Sequence, residues 1–307
     1  MIKPPSLDGW LSWSIDGVPY ALRSNKDQTY DYHVNIKNPR PLKSHYDELY
    51  ENARAMRDTY TGTFDVLLSG GIDSEIIVRV FKDLGITHNT FIFKYEKEYN
   101  HRDVASAIDI CECLNIPYTI IDFELEKYYE QEAYEMFKKS GCLRAARLPH
   151  LKFFDYLDGI PITGESEPYW QRTLGVDYTA RSDWTFCMGE SFHNTSMYVT
   201  SLGREHVVDW YEFSPNVIRS FIELPTVQDL LNDKQIGKKS TWSNRIPIYK
   251  HLWPDIKPKV KLVGYETNEF PGTYPKFITD LQKTMTEELG EGRDIWLSYQ
   301  EFLNLFQ

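Results

Sequence analysis

The feature that most constrains the fold is the run Ser69–Ser74, which reads Ser-Gly-Gly-Ile-Asp-Ser. It follows the short apolar segment Phe64–Leu68, which is typical of a buried strand. After the run, apolar residues recur at helical spacing through Leu84, and Gly85 stands where helices commonly end. The order of strand, glycine loop and helix predicts an α/β unit whose loop amides and helix dipole form an anion-binding concavity.

The same alternation continues along the chain. Strands are predicted at 90–93, 117–123 and 159–164, with helices over 104–114 and Leu125–Lys139. Strands that alternate with helices of this length imply a parallel sheet with helices on both faces. Ligands bind at the carboxyl ends of such strands, so the loops 69–74 and 164–167 are predicted to share one rim.

Three segments are predicted in the 307-residue chain. Residues 1–60 contain a β-hairpin at Asp16-Gly17 and a short helix over Lys43–Arg57, and they form a cover segment. Residues 61–165 form the nucleotide-binding α/β core. Residues 166–307, rich in tryptophan and broken by prolines, form a mostly helical substrate or cover region with a soft boundary.

Charge and cysteine content exclude several classes of protein. The net charge is −11, which argues against a sequence-independent grip on nucleic-acid phosphates. The sequence contains no secretion signal and no apolar run long enough for a membrane span, so a cytoplasmic protein is expected. The four cysteines show no zinc spacing and are expected to be reduced thiols.

The residue types in the loop point to a nucleotide and magnesium. Gly70 and Gly71 let the backbone approach a phosphate closely, and Ser69 and Ser74 add hydroxyl donors. Asp73 would repel a phosphate unless a divalent cation bridges the two, so it is the predicted Mg²⁺ ligand. The run matches neither the Walker pattern nor the dinucleotide-binding glycine pattern.

The run resembles the PP-loop signature S-G-G-x-D-S of the N-type ATP pyrophosphatases, and all six positions match. That superfamily includes asparagine, GMP, NAD and argininosuccinate synthetases and tRNA thiolation enzymes. The resemblance covers about 100 residues and implies the adenine nucleotide alpha hydrolase-like (HUP) fold. It also implies a reaction in which ATP and Mg²⁺ bind at Ser69, Gly70, Gly71, Asp73 and Ser74, a substrate oxygen is adenylated, pyrophosphate leaves, and a nucleophile displaces AMP.

Within the superfamily, the segment Thr163–Glu167 resembles the acidic loop of asparagine synthetases, written roughly G-E-G-x-D-E. Only Gly164 and Glu165 match, and Ser166 departs from the pattern. The resemblance implies a catalytic role for Glu165 beside Asp73. Glutamine-dependent members carry a cysteine where this chain has Ile2, so no glutaminase domain is expected. Free ammonia, another amine or a nitrogen-supplying partner protein would take its place, acting on a small carboxylate acceptor.

Basic residues are the candidates for contacting the phosphates. Lys94, at the predicted end of the second strand, is predicted to contact ATP. His101 and Arg102 begin the next helix and fit either the site or a helix-terminus role. One further cation is expected from the basic groups Arg144 and Arg147, Lys238-Lys239 with Arg245, or Lys257, Lys259 and Lys261.

Two other functions stay open at this point. A thiotransferase or amidotransferase acting on a nucleobase or tRNA would adenylate too; the thiotransferase form would need Cys142 or Cys187, and the acidic charge disfavours tRNA. A nucleotide sensor without turnover would bind ATP and release no pyrophosphate. In each case Gly70→Val is expected to block the phosphate pocket while leaving the fold intact.

Overall fold

The described part of the chain contains three small sheets surrounded by helices. The computed structural model describes residues 6–37, 39–165, 170–174, 180–232, 245–257, 265–266 and 274–307, with the backbone alone at 170–174, 180–188, 192, 230–232, 245 and 294. The strands, in chain order, are β1 (Leu11–Ile15), β2 (Val18–Pro19), β3 (Tyr30–Val34), β4 (Phe64–Leu67), β5 (His88–Tyr95), β6 (Thr119–Phe123), β7 (Ile160–Ile162), β8 (Trp170–Leu174), β9 (Ala180–Gly189) and β10 (Asp294–Ser298). The α-helices, in chain order, are α1 (His45–Thr59), α2 (Ile72–Leu84), α3 (His101–Leu114), α4 (Leu125–Gln131), α5 (Ala133–Ser140), α6 (Leu148–Phe153), α7 (Glu190–Ser201), α8 (Pro215–Ile222), α9 (Pro225–Asn232), α10 (Arg245–Leu252), α11 (Lys276–Leu289) and α12 (Tyr299–Asn304).

The central sheet has four parallel strands in the order β6-β5-β4-β7. Phe64 of β4 lies opposite His88 of β5 on one side and Ile160 of β7 on the other. The chain runs outward from β4 to β6 and then returns to the far side of β4, so the switch point lies between β4 and β7. The predicted α/β fold with a parallel sheet is confirmed, and the loops after β4 and β7 meet at its carboxyl edge.

Helices cover both faces of this sheet. Alternate residues of a strand point to opposite faces, and in β5 the neighbours Ile92 and Phe93 belong to two different hydrophobic cores. Ile92 packs in the core that contains α1, α2 and α3, whereas Phe93 packs with α4, α5 and α6. The Phe93 ring stacks on Phe153 of α6 with ring centroids 3.6 Å apart. The two-faced packing predicted from the sequence is therefore present.

Helix ends follow the capping residues of the sequence. Ser44 caps α1 by accepting a hydrogen bond from the Asp47 amide. The helix begins and ends within two residues of the predicted span Lys43–Arg57. α2 ends at Gly85 with a φ of 63°, as predicted. The single helix predicted over Leu125–Lys139 is wrong in one respect: Glu132, with φ −125° and ψ −28°, breaks it into α4 and α5.

The N-terminal sheet contains the predicted hairpin and one additional strand. Ile15 pairs with Val18 across a two-residue turn, and both turn residues, Asp16 and Gly17, have positive φ. Pro19 cannot donate to a ladder, which limits β2 to two residues. The longer partner of β1 is β3, which pairs antiparallel along its whole length and which the sequence analysis missed.

In the described part of the C-terminal segment, helices are the main element, as predicted, and the segment adds a three-stranded antiparallel sheet in the order β10-β9-β8. β9 and β10 are more than 100 residues apart in the sequence, so local patterns do not reveal that they pair. One stretch of the segment continues the central sheet: Val207 bridges to Ile162 of β7, and Asp209 bridges to Gly164. This brings residues 207–212 to the carboxyl edge of the sheet.

Residues from all three predicted segments share one hydrophobic core, for example Trp10, Val66 and Trp210. The boundaries near 60 and 165 stay predictions. Among the helices described, none combines the length and apolar character needed to cross a lipid bilayer.

Candidate functional site

The loop between β4 and α2 is closed by its own serines. Ser74, buried in the first turn of α2, accepts a hydrogen bond from the Ser69 amide at 3.2 Å and donates to the Gly71 carbonyl at 3.2 Å. The Ser69 hydroxyl lies 3.2 Å from that of Ser74 and accepts from the Gly71 amide at 3.4 Å. Ser74 therefore braces the loop from inside, while Ser69 lies at the surface.

Gly70 is required by both conformation and space. Its φ is +73°, and an added Cβ would lie 2.2 Å from the Asp103 carbonyl oxygen and 3.0 Å from the Ala107 amide of α3. A valine here would collide with the backbone of α3. The expectation that Gly70→Val leaves the fold intact is therefore wrong, because the loop or the helix must move.

The N-terminus of α2 points its amides into this loop. Gly71 is the N-cap residue and has no side chain to satisfy the first N–H groups of the helix. Asp73, half-buried, lies in the first turn, and its carbonyl accepts a hydrogen bond from the Tyr211 hydroxyl at 2.9 Å. The uncapped amides and the positive end of the helix dipole make this a region of positive potential.

The loop after β7 contacts the same helix turn. An added Cβ at Gly164 would lie 2.7 Å from the Ser74 amide and 2.9 Å from the Asp73 carbonyl carbon. The structure thus brings the loops after β4 and β7 together, as the shared-rim interpretation requires. Residues 166–169 lie outside the described part of the chain, so Glu167 is not placed.

Glu165 is held between two basic side chains. The Arg147 guanidinium lies 3.5 Å from one carboxylate oxygen, and His150 Nδ1 lies 3.3 Å from the other. Burial by itself raises the pKa of Glu165, but the charge of Arg147 and the hydrogen bond from His150 outweigh it and lower that pKa to about 2. Glu165 is therefore a fixed anion at neutral pH and a weak base.

Lys94 is placed at the end of β5, as predicted, but on the side of β6. Its side chain is 54% exposed, and its ammonium lies 3.4 Å from Asp122 of β6. It is therefore directed away from β4, whose end carries the glycine loop. A contact with ATP stays a prediction for this residue.

The other basic candidates are placed only in part. His101 and Arg102 both pair with Glu266, at 2.6 Å and 3.4 Å, and the choice between a site role and a helix-terminus role for them stays a prediction. Arg144 is exposed, and Lys257 lies 3.9 Å from Asp109. The other basic candidates, Lys238-Lys239, Lys259, Lys261 and the side chain of Arg245, lie outside the described residues.

The described thiols are free, and two of them are buried: Cys111 and Cys142. Burial raises the pKa of each to about 11, so both are protonated at neutral pH and are poor nucleophiles. Cys113 is exposed, and the Cys187 side chain is not among those described. A buried, protonated thiol is poorly suited to carry sulfur, which disfavours that role for Cys142.

Several residues at this edge were missed by the sequence analysis. Tyr211, His150 and Asp209 reach the site from other parts of the chain, and no spacing relates them to the glycine loop. The apolar pair Val207-Val208 was the one local signal, because it extends the central sheet beyond β7. A buried group of His193, Asp209 and Glu212 lies behind it.

Comparison with known proteins matches the segment that carries the loop. Residues 65–140 match the family model described as "Queuosine biosynthesis protein QueC". The match supports the PP-loop superfamily for this segment. The 7-cyano-7-deazaguanine synthase of Methanocaldococcus jannaschii is 33% identical over 86 residues, which are 28% of this chain and 34% of that protein. The chain therefore spans about a third of the length of this curated relative.

Two solved structures resemble the chain weakly. An NMN synthetase from Francisella tularensis is 21% identical over 38% of this chain and 52% of its own, with a TM-score of 0.28. An NH3-dependent NAD synthetase from Campylobacter jejuni subsp. jejuni NCTC 11168, in complex with the nitrate ion, is 12% identical over 79% of this chain and 93% of its own, with a TM-score of 0.33. TM-scores this low say nothing of function. None of these relatives is an asparagine synthetase, so closeness to that enzyme stays a prediction.

Proposed function

We propose that this protein is an ATP-dependent synthetase that cleaves ATP to AMP and pyrophosphate and activates a carboxylate, or a related oxygen, for C–N bond formation. The observation that carries the proposal is the closed Ser69–Ser74 loop at the N-terminus of α2, with Gly164 packed against the same helix turn. Loops of this kind, at the switch point of a parallel sheet, bind phosphate groups.

The loop would bind the β- and γ-phosphates of ATP through its backbone. Gly70 and Gly71 present no side chain, and the amides at the start of α2 have no capping side chain to occupy them. The substrate oxygen attacks the α-phosphorus, and the bond from that phosphorus to the bridging oxygen breaks. The helix dipole and amides then stabilise the charge that develops on the leaving pyrophosphate.

Asp73 fits the role of a Mg²⁺ ligand. It is a carboxylate in the first turn of α2, half-buried beside the phosphate loop, and hard oxygen donors are what Mg²⁺ prefers. A bound Mg²⁺ would neutralise charge on the pyrophosphate. Asp73 itself would otherwise repel the phosphates, so the residue makes chemical sense beside ATP only with a cation.

Glu165 is proposed to act at the acceptor end of the site. Since its pKa is about 2, it stays ionised and orients groups rather than abstracting protons. It accepts an N–H hydrogen bond from the nitrogen nucleophile and holds Arg147 and His150 beside the acceptor carboxylate. Arg147, whose side chain is 18% exposed, would contact an anionic acceptor through its guanidinium group.

The relative in Methanocaldococcus adds one class of acceptor to those we propose. Its name specifies a cyano group, which is a carbon bonded to nitrogen, on the purine-like deazaguanine ring. A carboxylate carried by such a base is therefore included among the acceptors, beside small amino acids. Thiol transfer to a base is less favoured, because the Cys142 thiol is buried and protonated.

The test uses α-labelled and γ-labelled ATP in parallel, with Mg²⁺, ammonium and a panel of amino acids and a deazaguanine carboxylate. AMP and pyrophosphate that appear only with one acid would support adenylation and identify the acceptor class. ADP and phosphate would contradict the proposal. ATP binding without turnover under all acceptors would also contradict it and favour a nucleotide sensor.

A further inference from the structure

A buried group of three potential metal ligands lies behind the candidate site. His193 on α7, and Asp209 and Glu212 at the short 3₁₀ helix Trp210–Glu212, present donor atoms that all lie within 4.8 Å of one another. These residues are 2%, 7% and 4% exposed, respectively. One imidazole and two carboxylates gathered in an enclosed space form a donor set typical of metal centres.

The imidazole of His193 is oriented as metal-binding histidines commonly are. Its Nδ1 lies 3.0 Å from the Gly189 carbonyl oxygen, so Nδ1–H donates there and Nε2 faces Glu212 Oε2 at 2.7 Å. A backbone carbonyl on one ring nitrogen fixes the tautomer and directs the other nitrogen to the metal. Tyr32 donates to the same Glu212 oxygen at 3.5 Å and helps to hold that carboxylate.

We propose that His193, Asp209 and Glu212 bind one divalent transition-metal ion of the zinc, manganese or iron class. Ligand bonds of about 2.1 Å place the donor atoms of a tetrahedral site about 3.4 Å apart. The donor atoms of the three residues lie within 4.8 Å of one another, so they are close enough to reach one ion. The contact between His193 and Glu212, now 2.7 Å, must open by less than about 1 Å. A fourth ligand would be a water molecule or a further protein oxygen.

Such an ion would fix the stretch 207–212 against the candidate site. Asp209 bridges to Gly164, Thr163 donates its hydroxyl to the Val208 carbonyl, and Tyr211 donates to the Asp73 carbonyl. The indole of Trp10 donates to the Glu212 carbonyl at 2.8 Å, which links the N-terminal sheet to the same stretch. The ion would therefore be structural, because it would tie α7 to the stretch that contacts Asp73, Gly164 and Trp10.

The test measures the metal content of the full chain and its thermal unfolding. We expect one equivalent of metal per chain by inductively coupled plasma mass spectrometry. ZnCl₂ or MnCl₂ should raise the Tm of EDTA-treated protein by roughly 5 °C at a hundredfold excess over Kd, and MgCl₂ should not. His193→Gln should lose both the metal and the shift. His206→Gln removes another buried histidine, one bonded to Thr200 rather than to this group, and should retain them.

A wild-type protein that carries no metal, and whose Tm does not respond to zinc or manganese, would overturn the proposal. The group would then be an ion pair in which a proton on His193 takes the place of the metal. If His193→Gln does not fold, the metal content of Glu212→Gln and the response of the wild-type Tm to added zinc or manganese test the proposal instead. Metal content is read without ATP, so this outcome is separate from failure of the proposed synthetase activity.

Discussion

Gly70→Ala is the substitution for which the structure gives the sharpest expectation. The added methyl would stand 2.2 Å from the Asp103 carbonyl oxygen, in a residue whose φ is +73°. Gly85 offers a matched control, because its φ is +63° and an added Cβ meets nothing within 4 Å. Both substitutions place an alanine at a positive φ, but only Gly70→Ala brings the new methyl group into collision with the backbone of α3.

The magnitudes follow from these two terms. A non-glycine residue in the left-handed region costs about 1 kcal/mol, which is all that Gly85→Ala should lose. Gly70→Ala adds the displacement of packed backbone, worth about 1–3 kcal/mol. At roughly 2 °C per kcal/mol for a chain of this size, the Tm should fall by about 2 °C for Gly85→Ala and by about 4–8 °C for Gly70→Ala.

Thermal unfolding, followed by circular dichroism with and without ATP and Mg²⁺, measures both effects. Gly85→Ala should keep the nucleotide-dependent rise in Tm, since it lies at the far end of α2. Gly70→Ala should lose that rise, because the loop has moved. Equal losses of Tm in the two variants would refute the collision between the loop and α3.

Three further outcomes test the site. Asp73→Ala should reduce pyrophosphate release about 100-fold or more while changing the Tm by about 2 °C. As a control, Asp109→Ala, which replaces an exposed aspartate on α3, should retain activity. Unchanged activity in Asp73→Ala would reject the magnesium role. Glu165→Gln should lower activity more than ATP affinity. Because the Glu165 pKa of about 2 lies below its ordinary 4.5, the ionised carboxylate contributes about 3 kcal/mol to the free energy of unfolding at pH 7. This contribution falls to about half near pH 3. Urea unfolding of the wild type and of Glu165→Gln at both pH values measures it, and a difference in stability that stays constant with pH would contradict this expectation. Cys142→Ala should cost about 1 kcal/mol of stability and leave pyrophosphate release intact; lost activity in a folded variant would instead favour thiol chemistry.

The central fold was predictable because its signals are local. Each strand is a short apolar run, and each helix carries an apolar face and an end signal such as Gly85. The break at Glu132 was not predictable from apolar spacing, since the residues on either side of it continue to favour a helix. The strand β10 was missed because its partner β9 lies more than 100 residues away in the sequence.

The candidate site divides in the same way. The glycine loop is one continuous run, so its residue types were readable as a phosphate-binding loop before any fold was known. The pairing of Glu165 with Arg147 and His150 depends on how α6 packs against the sheet, and no spacing in the sequence encodes it. The same holds for Tyr211, which is brought to Asp73 by the stretch that extends the sheet beyond β7.

Two different forces therefore set the two ends of the candidate site. The phosphate end is fixed by backbone contacts at Gly70 and Gly164, and such contacts leave little room for adjustment. The end that we propose for the acceptor is set by the charges of Arg147 and His150 on Glu165, and all three side chains keep part of their surface exposed. A change of charge there alters what the site binds without moving the loop. Substitutions at the glycines should therefore change ATP binding, whereas substitutions at Glu165 or Arg147 should change the choice and the rate of the acceptor.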